Sequence, residues 1–178
     1  AGAITNRAPS LDVGALVATA EEGQVEDWVL PIAVADPDGD AVTVDVSASN
    51  PQITYDDATR EIHWTDIDFD SAGSYVITVT ARDREDPDDL EARTAEATIT
   101  LIVFDVNREP TFGIAEPAVT VTKGEVAQVT VTASGPDGED VALTVTGLPN
   151  WGRVLSQTSG AAGSLVVELA PVTASADA

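Results

Sequence analysis

The sequence has no cysteine in its 178 residues, and lysine occurs once, at Lys123. The missing cysteine excludes disulfide bonds, thiolate metal sites and cysteine nucleophiles together. Aromatic residues make up only 4% of the chain. No apolar run approaches the roughly 20 residues needed to span a bilayer, and no signal peptide is visible at the start. Stability must therefore come from aliphatic packing or from bound metal.

The charge is strongly one-sided, with 8 basic against 31 acidic residues and a formal net charge of −23. Such a surface repels phosphate backbones and anionic membranes, so neither nucleic acid nor a lipid surface is an expected partner. It attracts divalent cations. Adaptation to salty surroundings explains the acidity equally well, and the composition leaves both explanations open.

An internal repeat organises the chain. Three motifs return in the same order: NRAP at 6–9 as NREP at 107–110, Gly23 as Gly124, and PDGD at 37–40 as PDGE at 136–139. The first two pairs are offset by 101 residues and the third by 99. A period near 100 residues fits one immunoglobulin-sized sandwich per repeat. We therefore predict one complete domain at 1–106 and a second copy at 107–178.

The first repeat alternates apolar with polar residues at the period of strands with one buried face. Seven segments are predicted as strands: 16–20, 28–35, 41–48, 53–57, 60–65, 74–81 and 97–104. Turn residues separate them about every ten positions, which indicates an antiparallel β-sandwich. The acidic stretch at 83–89 is expected to form a solvated hairpin tip.

The second repeat follows the first but stops early. Its predicted strands are 118–123, 127–133, 141–147, 154–158 and 164–169. Nothing corresponds to the last two strands of the first repeat. The predicted fold is thus all-β, with tandem antiparallel Ig-like β-sandwiches, the second lacking its last two strands. Either the chain is cut from a longer one, or another molecule supplies a strand.

Several motifs in order carry a family resemblance: DPDGD at 36–40, AGSY at 72–75, ATITLIVF at 97–104 and the linker NREP at 107–110. Together they resemble cadherin repeats, and still more the bacterial and archaeal cadherin-like tandem repeats of the dystroglycan-type and putative-immunoglobulin kind. The resemblance covers essentially the whole chain. It implies an extracellular or cell-surface module, because such repeats serve as spacers, adhesins, sugar binders and enzyme appendages.

The resemblance also implies calcium ligands, since cadherins hold Ca²⁺ between successive repeats. At the junction of the two repeats the matching residues are Glu22, Asp68, Asp70, Asp105, Asn107 and Asp137. Three positions depart from the cadherin pattern: Phe69 replaces the arginine of the Asp-Arg-Glu motif, Arg108 stands at an acidic ligand position, and Gly135 replaces an aspartate. The match therefore supports at most one ion at this junction.

A second candidate calcium site lies at the other end of the first domain. It comprises Asp36, Asp38 and Asp40 in one tight turn, with Asp83 at the end of a strand. Calcium takes six to eight hard oxygen ligands, and a D-x-D-x-D turn places several within one loop. The same residues are equally typical of a plain type I turn closed by glycine.

No catalytic constellation is apparent, because no GxSxG element is present and carboxylate pairs are too abundant to single one out. We expect a non-catalytic repeat module that acts as an adhesive or structural spacer, with Ca²⁺ as a possible cofactor and other repeats, a surface protein or a glycan as partner. One alternative is a carbohydrate-binding module using Trp151 or Tyr55; Trp64, on an alternating strand, is assigned to the core. Another is a filament or surface-layer subunit completed by a neighbour's strand.

Overall fold

A computed structural model describes residues 6–24, 26–83 and 92–172 of the chain; of the acidic stretch at 83–89, only Asp83 falls inside these ranges. The chain divides into two compact units, Ala1–Val106 and Asn107–Ala178, here called unit 1 and unit 2. The described residues form strands and turns, and they contain no helix that could cross a membrane.

Unit 1 is a sandwich of nine strands. They are β1 (Ser10–Asp12), β2 (Val17–Glu21), β3 (Trp28–Pro31), β4 (Ala33–Ala35), β5 (Thr43–Ala48), β6 (Ile53–Asp56), β7 (Glu61–Trp64), β8 (Gly73–Arg82) and β9 (Thr94–Phe104). One sheet has the order β2-β9-β8-β5, with β2 parallel to β9 and the other pairs antiparallel. The opposing layer consists of β3-β7-β6 and the pair β1-β4.

The core of unit 1 lies between these layers because every second residue of each strand points inward. Its fully buried side chains include Ile62, Trp64, Ile77, Ile99 and Leu101. The ring of Trp64 meets that of Tyr75 edge to face, with 4.8 Å between ring centroids. Trp64 is therefore a core residue, as its place on an alternating strand predicts.

The predicted strand at 28–35 is wrong as a single element. It breaks after Pro31 into β3, which pairs with β7, and β4, which pairs with β1. Proline has no amide hydrogen and cannot continue a ladder on both sides. The amide of Ile32 instead donates to the carbonyl of Arg60 at 2.9 Å.

Unit 2 has four strands in one sheet: β10 (Thr111–Ile114), β11 (Ala127–Ser134), β12 (Gly152–Thr158) and β13 (Ala162–Leu169), in the order β10-β11-β13-β12. This sheet repeats one layer of unit 1. Thr111 pairs with Ser134 as Ser10 pairs with Ala35. Likewise, Gly152 pairs with Leu169 as Ile53 pairs with Trp64.

Two predicted strands of unit 2, at 118–123 and 141–147, are not strands in the structure. Their counterparts in unit 1 are β2 and β5, which pair with β9 and β8 respectively. Unit 2 offers no counterpart of β8 or β9 in its described residues, so these alternating segments have no ladder to join. Apart from an isolated bridge between Val141 and Gly160, neither segment forms strand pairing.

Candidate functional site: acidic turns and their arginines

The DPDGD turn of unit 1 is organised by the first of its three aspartates. Asp36 Oδ1 accepts hydrogen bonds from the amides of Asp38 at 2.7 Å and Asp40 at 3.1 Å. Gly39 adopts a φ of 85°, a left-handed conformation that glycine reaches without steric cost. The corresponding Gly138 of unit 2 has a φ of 82°, so the turn geometry is repeated.

Arg7 compensates the second aspartate of that turn. Its Nε and Nη2 donate to Asp38 Oδ1 at 3.0 and 2.7 Å, and its backbone amide donates to Asp38 Oδ2 at 2.8 Å. Nη2 also donates to the carbonyl of Pro37 at 2.7 Å. Both carboxylate oxygens of Asp38 are thus engaged, and the side chain keeps 14% exposure. The NRAP motif is therefore hydrogen-bonded, through Arg7, to the DPDGD turn of the same unit.

Unit 2 repeats this arrangement with Arg108 and Asp137. The amide and Nε of Arg108 donate to the two carboxylate oxygens of Asp137, both at 2.6 Å. Nη2 lies 2.6 Å from Asp137 Oδ1 and donates to the carbonyl of Pro136 at 3.0 Å. The side chain of Asp137 keeps 12% exposure. We call this four-contact arrangement, present once in each unit, the arginine clamp.

The clamps change the titration of their carboxylates. Hydrogen bonds from the Arg7 side chain and then its amide hold the pKa of Asp38 below its ordinary value. Hydrogen bonds from the Arg108 amide and then its guanidinium lower the pKa of Asp137 in the same way. The pKa of Arg7 is raised in turn, chiefly by its hydrogen bond with Asp38. Both aspartates are therefore charged at neutral pH and compensated by a side chain of their own unit.

Two other predicted metal ligands are buried carboxylates that accept hydrogen bonds from unit 1. Glu22 Oε2 accepts from the amide of Ala72 at 3.0 Å, and Oε1 accepts from the amide of Val106 at 3.1 Å. Glu22 thus holds the backbone of Val106, the last residue of unit 1, by a hydrogen bond. Asp83 is fully buried and accepts from Asn6 Nδ2 and from the amide of Arg93, both at 2.8 Å.

The remaining predicted ligands are more exposed. Asp68 Oδ1 accepts from the Ser71 hydroxyl at 2.6 Å and the Asp70 amide at 3.1 Å, and the Ser71 bond, then the Asp70 bond, lowers the pKa of Asp68. Asp70 and Asp105 are exposed on unit 1, and Asn107 is exposed at the start of unit 2. Asp137 also belongs to unit 2, where Arg108 engages it.

A calcium ion needs six to eight oxygen ligands. Across residues 6–24, 26–83 and 92–172, no three or more Asp, Glu, His or Cys side chains are grouped so that they could hold a metal. Two of the predicted aspartates are already compensated by arginine. One observation still fits a cation: Asp36 Oδ2 is buried and has no hydrogen-bond partner among the described residues. The calcium sites therefore remain a prediction.

Sequence reasoning assigned no role to Arg7 and treated Arg108 only as the loss of an acidic ligand. The signal was present, because both arginines stand second in the repeated motif NRAP and NREP. Each precedes the aspartate of its PDG motif by about 30 residues, Arg7 to Asp38 and Arg108 to Asp137. Two oppositely charged positions that recur together in both repeats indicate a pair.

The aromatic residues considered for sugar stacking differ in exposure. Trp151 is 39% exposed, at the turn that leads into β12. Tyr55 is half-buried and packs against the core of unit 1, where burial raises the pKa of its phenol. Its hydroxyl donates to Asp57 Oδ1 at 3.2 Å and accepts from Arg60 Nη1 at 3.1 Å. Glycan binding at Trp151 stays a prediction.

Strand order and pairing define the chain as an all-β protein with an Ig-like β-sandwich in unit 1; the described residues of unit 2 form a single four-stranded sheet without counterparts of β8 and β9. No protein-family profile matches the sequence, and no curated protein matches it either.

Among solved structures, EC1-2 of human protocadherin-24 is 16% identical over 97% of this chain and 82% of that chain, with a TM-score of 0.48. EC21-23 of human CDH23 is 21% identical over 74% of this chain and 47% of that chain, with a TM-score of 0.45. Titin domains Z1Z2, solved in complex with telethonin, are 18% identical over 92% of this chain and 82% of that one, with a TM-score of 0.37.

The arginine clamp predicts a pH dependence of unit 1. Because the pKa of Asp38 is lowered on folding from its ordinary 3.8, the clamp stabilises unit 1 above that pH and loses its effect as pH falls through the lowered value. Protonation of the other acidic side chains has the opposite effect on stability, because it relieves charge repulsion in a chain of net charge −23. The contribution of the clamp is therefore obtained from the difference in free energy of unfolding between the wild type and Arg7→Gln.

We expect Arg7→Gln to lower the free energy of unfolding of unit 1 at pH 7, and we expect this effect to shrink as pH falls below 3.8. The measurement is denaturant unfolding of both proteins at several pH values. The same substitution at Arg153, which pairs with Glu168 on unit 2, is the matched control. A difference between wild type and Arg7→Gln that is constant across pH would contradict the assignment.

Proposed function

We propose that this chain is a non-catalytic spacer module of a surface or secreted protein, in which successive sandwiches are joined by a linker anchored at both ends. The observation that supports it is the position of the anchors. The amide of Val106 donates to Glu22 of unit 1, and the amide and guanidinium of Arg108 donate to Asp137 of unit 2. Only Asn107 stands between these anchored residues.

An anchored linker suits a spacer because it limits the conformations of the joining segment. Free backbone residues each carry roughly 1–2 kcal/mol of conformational entropy, and hydrogen bonds on both sides of Asn107 remove much of that freedom in advance. The repetition of the arginine clamp at Arg7 supports the same reading, since every unit that begins with this motif would fix its own entry segment. In this proposal arginine performs, at the turn, the charge compensation that calcium would otherwise supply.

The test is a distance measurement between the two units. Because the chain has no cysteine, Ser47→Cys and Thr130→Cys, on outward positions of β5 and β11, accept one spin label each without competing thiols. We expect a narrow distance distribution in the parent and a broader one in Arg108→Gln. Four freed residues, 107–110, have an r.m.s. span of about 10–12 Å, so the broadening is on the order of several Å.

Arg7→Gln is the matched control, because it removes the identical clamp from the start of unit 1 and leaves the linker after Val106 intact. A distribution that is equally broad in the parent and in Arg108→Gln would overturn the spacer proposal. Repeating the distance measurement with millimolar calcium distinguishes charge compensation by Arg108 from charge compensation by a bound calcium ion. Narrowing that requires calcium would assign the stiffness to the predicted ion and not to Arg108.

A further inference from the structure

The acidic turns of the two units differ at their first and fifth positions. The turn reads DPDGD in unit 1 and GPDGE, residues 135–139, in unit 2. Both turns close in the same way. The amide of Gly39 donates to the carbonyl of Asp36 at 3.3 Å, and the amide of Gly138 donates to the carbonyl of Gly135 at 3.2 Å. The second turn therefore keeps its shape without an aspartate at its first position.

The side chain of Glu139 occupies the space that an aspartate at position 135 would fill. A Cβ atom added to Gly135 would lie 2.5 Å from Glu139 Cδ and 2.7 Å from its Oε1. Both separations are well inside the roughly 3.5–4 Å of an ordinary contact between carbon atoms. The same Cβ would lie 2.5 Å from the backbone carbonyl oxygen of Glu139. The fifth residue of this turn is thus folded back over the first.

The carboxylate of Glu139 accepts the hydrogen bond that Asp36 accepts in unit 1. Glu139 Oε2 accepts from the amide of Asp137 at 3.1 Å. In unit 1 the equivalent amide, that of Asp38, donates to Asp36 Oδ1 at 2.7 Å. In both turns the second carboxylate oxygen, Glu139 Oε1 or Asp36 Oδ2, is buried without a hydrogen-bond partner among the described residues. The two carboxylates therefore share a donor and a kind of surroundings, although they come from opposite ends of the turn.

The amide bound by Glu139 belongs to the aspartate of the arginine clamp. Asp137 accepts the amide and Nε of Arg108 on its two carboxylate oxygens. Because the rotamers open to a side chain depend on its backbone conformation, holding the amide of Asp137 limits the directions in which its carboxylate can point. Repulsion between like charges disfavours a second carboxylate beside Asp137, so the hydrogen bond to the turn is what favours it. Glu139 thus acts on Arg108 through Asp137.

We propose that Glu139 is the positioning residue of the arginine clamp in unit 2, and that each such turn requires one carboxylate folded over it, from either its first or its fifth position. Glu139 does in unit 2 what Asp36 does in unit 1, and Gly135 provides the space for this exchange. The change from aspartate to Gly135 is therefore a compensated substitution. The inference rests on the proposed function only where the clamp is taken to anchor the linker.

The experiment follows the amide of Arg108 by hydrogen exchange in the full 178-residue chain. In Glu139→Ala we expect this amide to exchange about ten-fold faster, which corresponds to about 1.4 kcal/mol, the order of one hydrogen bond to a charged group. The NMR signal of the Arg108 Nε–H should shift in the same variant, whereas the amides of the β11–β13 ladder should keep their rates. Glu125→Ala, at an exposed position of unit 2, is the matched control.

A second substitution tests whether the source of the carboxylate matters. In Gly135→Asp/Glu139→Ala the exchange rate of the Arg108 amide is expected to return close to the wild-type value, because an aspartate at the first position can accept from the amide of Asp137. The φ of Gly135 is not positive, so an aspartate is allowed there. The DPDGD turn of unit 1 shows that such a turn accommodates this side chain.

The reciprocal exchange in unit 1 keeps the test decisive if Gly135→Asp prevents unit 2 from folding. Asp36→Gly is expected to speed the exchange of the Arg7 amide, which donates to Asp38. Adding Asp40→Glu, which converts DPDGD to the GPDGE of unit 2, is expected to slow it again. Asp40→Glu alone is the control, because it leaves the carboxylate of Asp36 in place.

Faster exchange in Glu139→Ala that is reversed by Gly135→Asp supports the proposal, as does the same reversal in unit 1. Unchanged exchange of the Arg108 amide in Glu139→Ala overturns it. Faster exchange that neither Gly135→Asp nor Asp40→Glu reverses also overturns it. The spin-label distances test the spacer role separately. A distribution that stays narrow in Glu139→Ala, while the Arg108 amide exchanges faster, would support the positioning role and count against the anchored linker.

Discussion

Replacing Trp64 with alanine is expected to lower the free energy of unfolding of unit 1 by about 3–5 kcal/mol, the usual cost of truncating a buried large aromatic residue. Trp64 is fully buried on β7 and contacts Tyr75 edge to face. Single domains are stable by only about 5–15 kcal/mol, so the substitution removes much of the stability of unit 1. Unit 2, a separate compact unit, should keep its exchange protection.

Urea unfolding followed by circular dichroism, together with hydrogen exchange resolved by segment, measures this effect. Trp28→Ala is the matched control, because Trp28 pairs with Trp64 across the β3–β7 ladder but is only half-buried. Trp64→Phe tests a second detail. The indole Nε1 has no hydrogen-bond partner in the described structure, so losing it should offset part of the cavity cost. A loss below about 1 kcal/mol for Trp64→Ala would contradict the assignment of this residue to the core.

Replacing Asp83 with alanine is expected to destabilise unit 1 by about 2–4 kcal/mol, because two buried donors lose their acceptor oxygens. These donors are the side chain of Asn6 and the amide of Arg93. Asp83 is fully buried, so water does not readily replace the carboxylate. Asp83→Asn keeps the shape but directs an amide NH₂ toward a donor, and a smaller loss is expected. Asp45→Asn, on the exposed face of β5, is the matched control.

The same variants decide whether Asp83 also binds calcium. Thermal unfolding after chelation, then with millimolar calcium, magnesium or sodium chloride, separates specific binding from screening of the acidic surface. A site saturated at about 100 times Kd adds about 2.7 kcal/mol to the stability of the folded state. A shift specific to calcium that disappears in Asp83→Asn would support the predicted site. An equal shift with every salt would leave Asp83 a purely structural carboxylate and count against the calcium prediction.

The fold class was accessible from sequence because it depends on local patterns. Period-two alternation marks strands with one buried face, and PDG turns with glycine at positive φ mark their ends. The repeated NR-x-P and PDG motifs set the period. The same patterns could not show that residues 28–35 divide between two ladders, since pairing is decided by which other strand lies within hydrogen-bonding distance.

The candidate site was less accessible. Aspartates in a tight turn have the same sequence signature whether a cation, an arginine or water compensates them. Only the fold brings Arg7 to Asp38 and Asn6 to Asp83, across 31 and 77 residues of chain. For the same reason, only the fold shows that 118–123 and 141–147 form no strand ladder with the described residues, apart from the single bridge between Val141 and Gly160. The sequence by itself determined the repeat, the alternation and the turns, because these can be recognised from residue types and their spacing along the chain. The tertiary structure decided the charge pairs and the strand ladders, because these depend on contacts between distant residues.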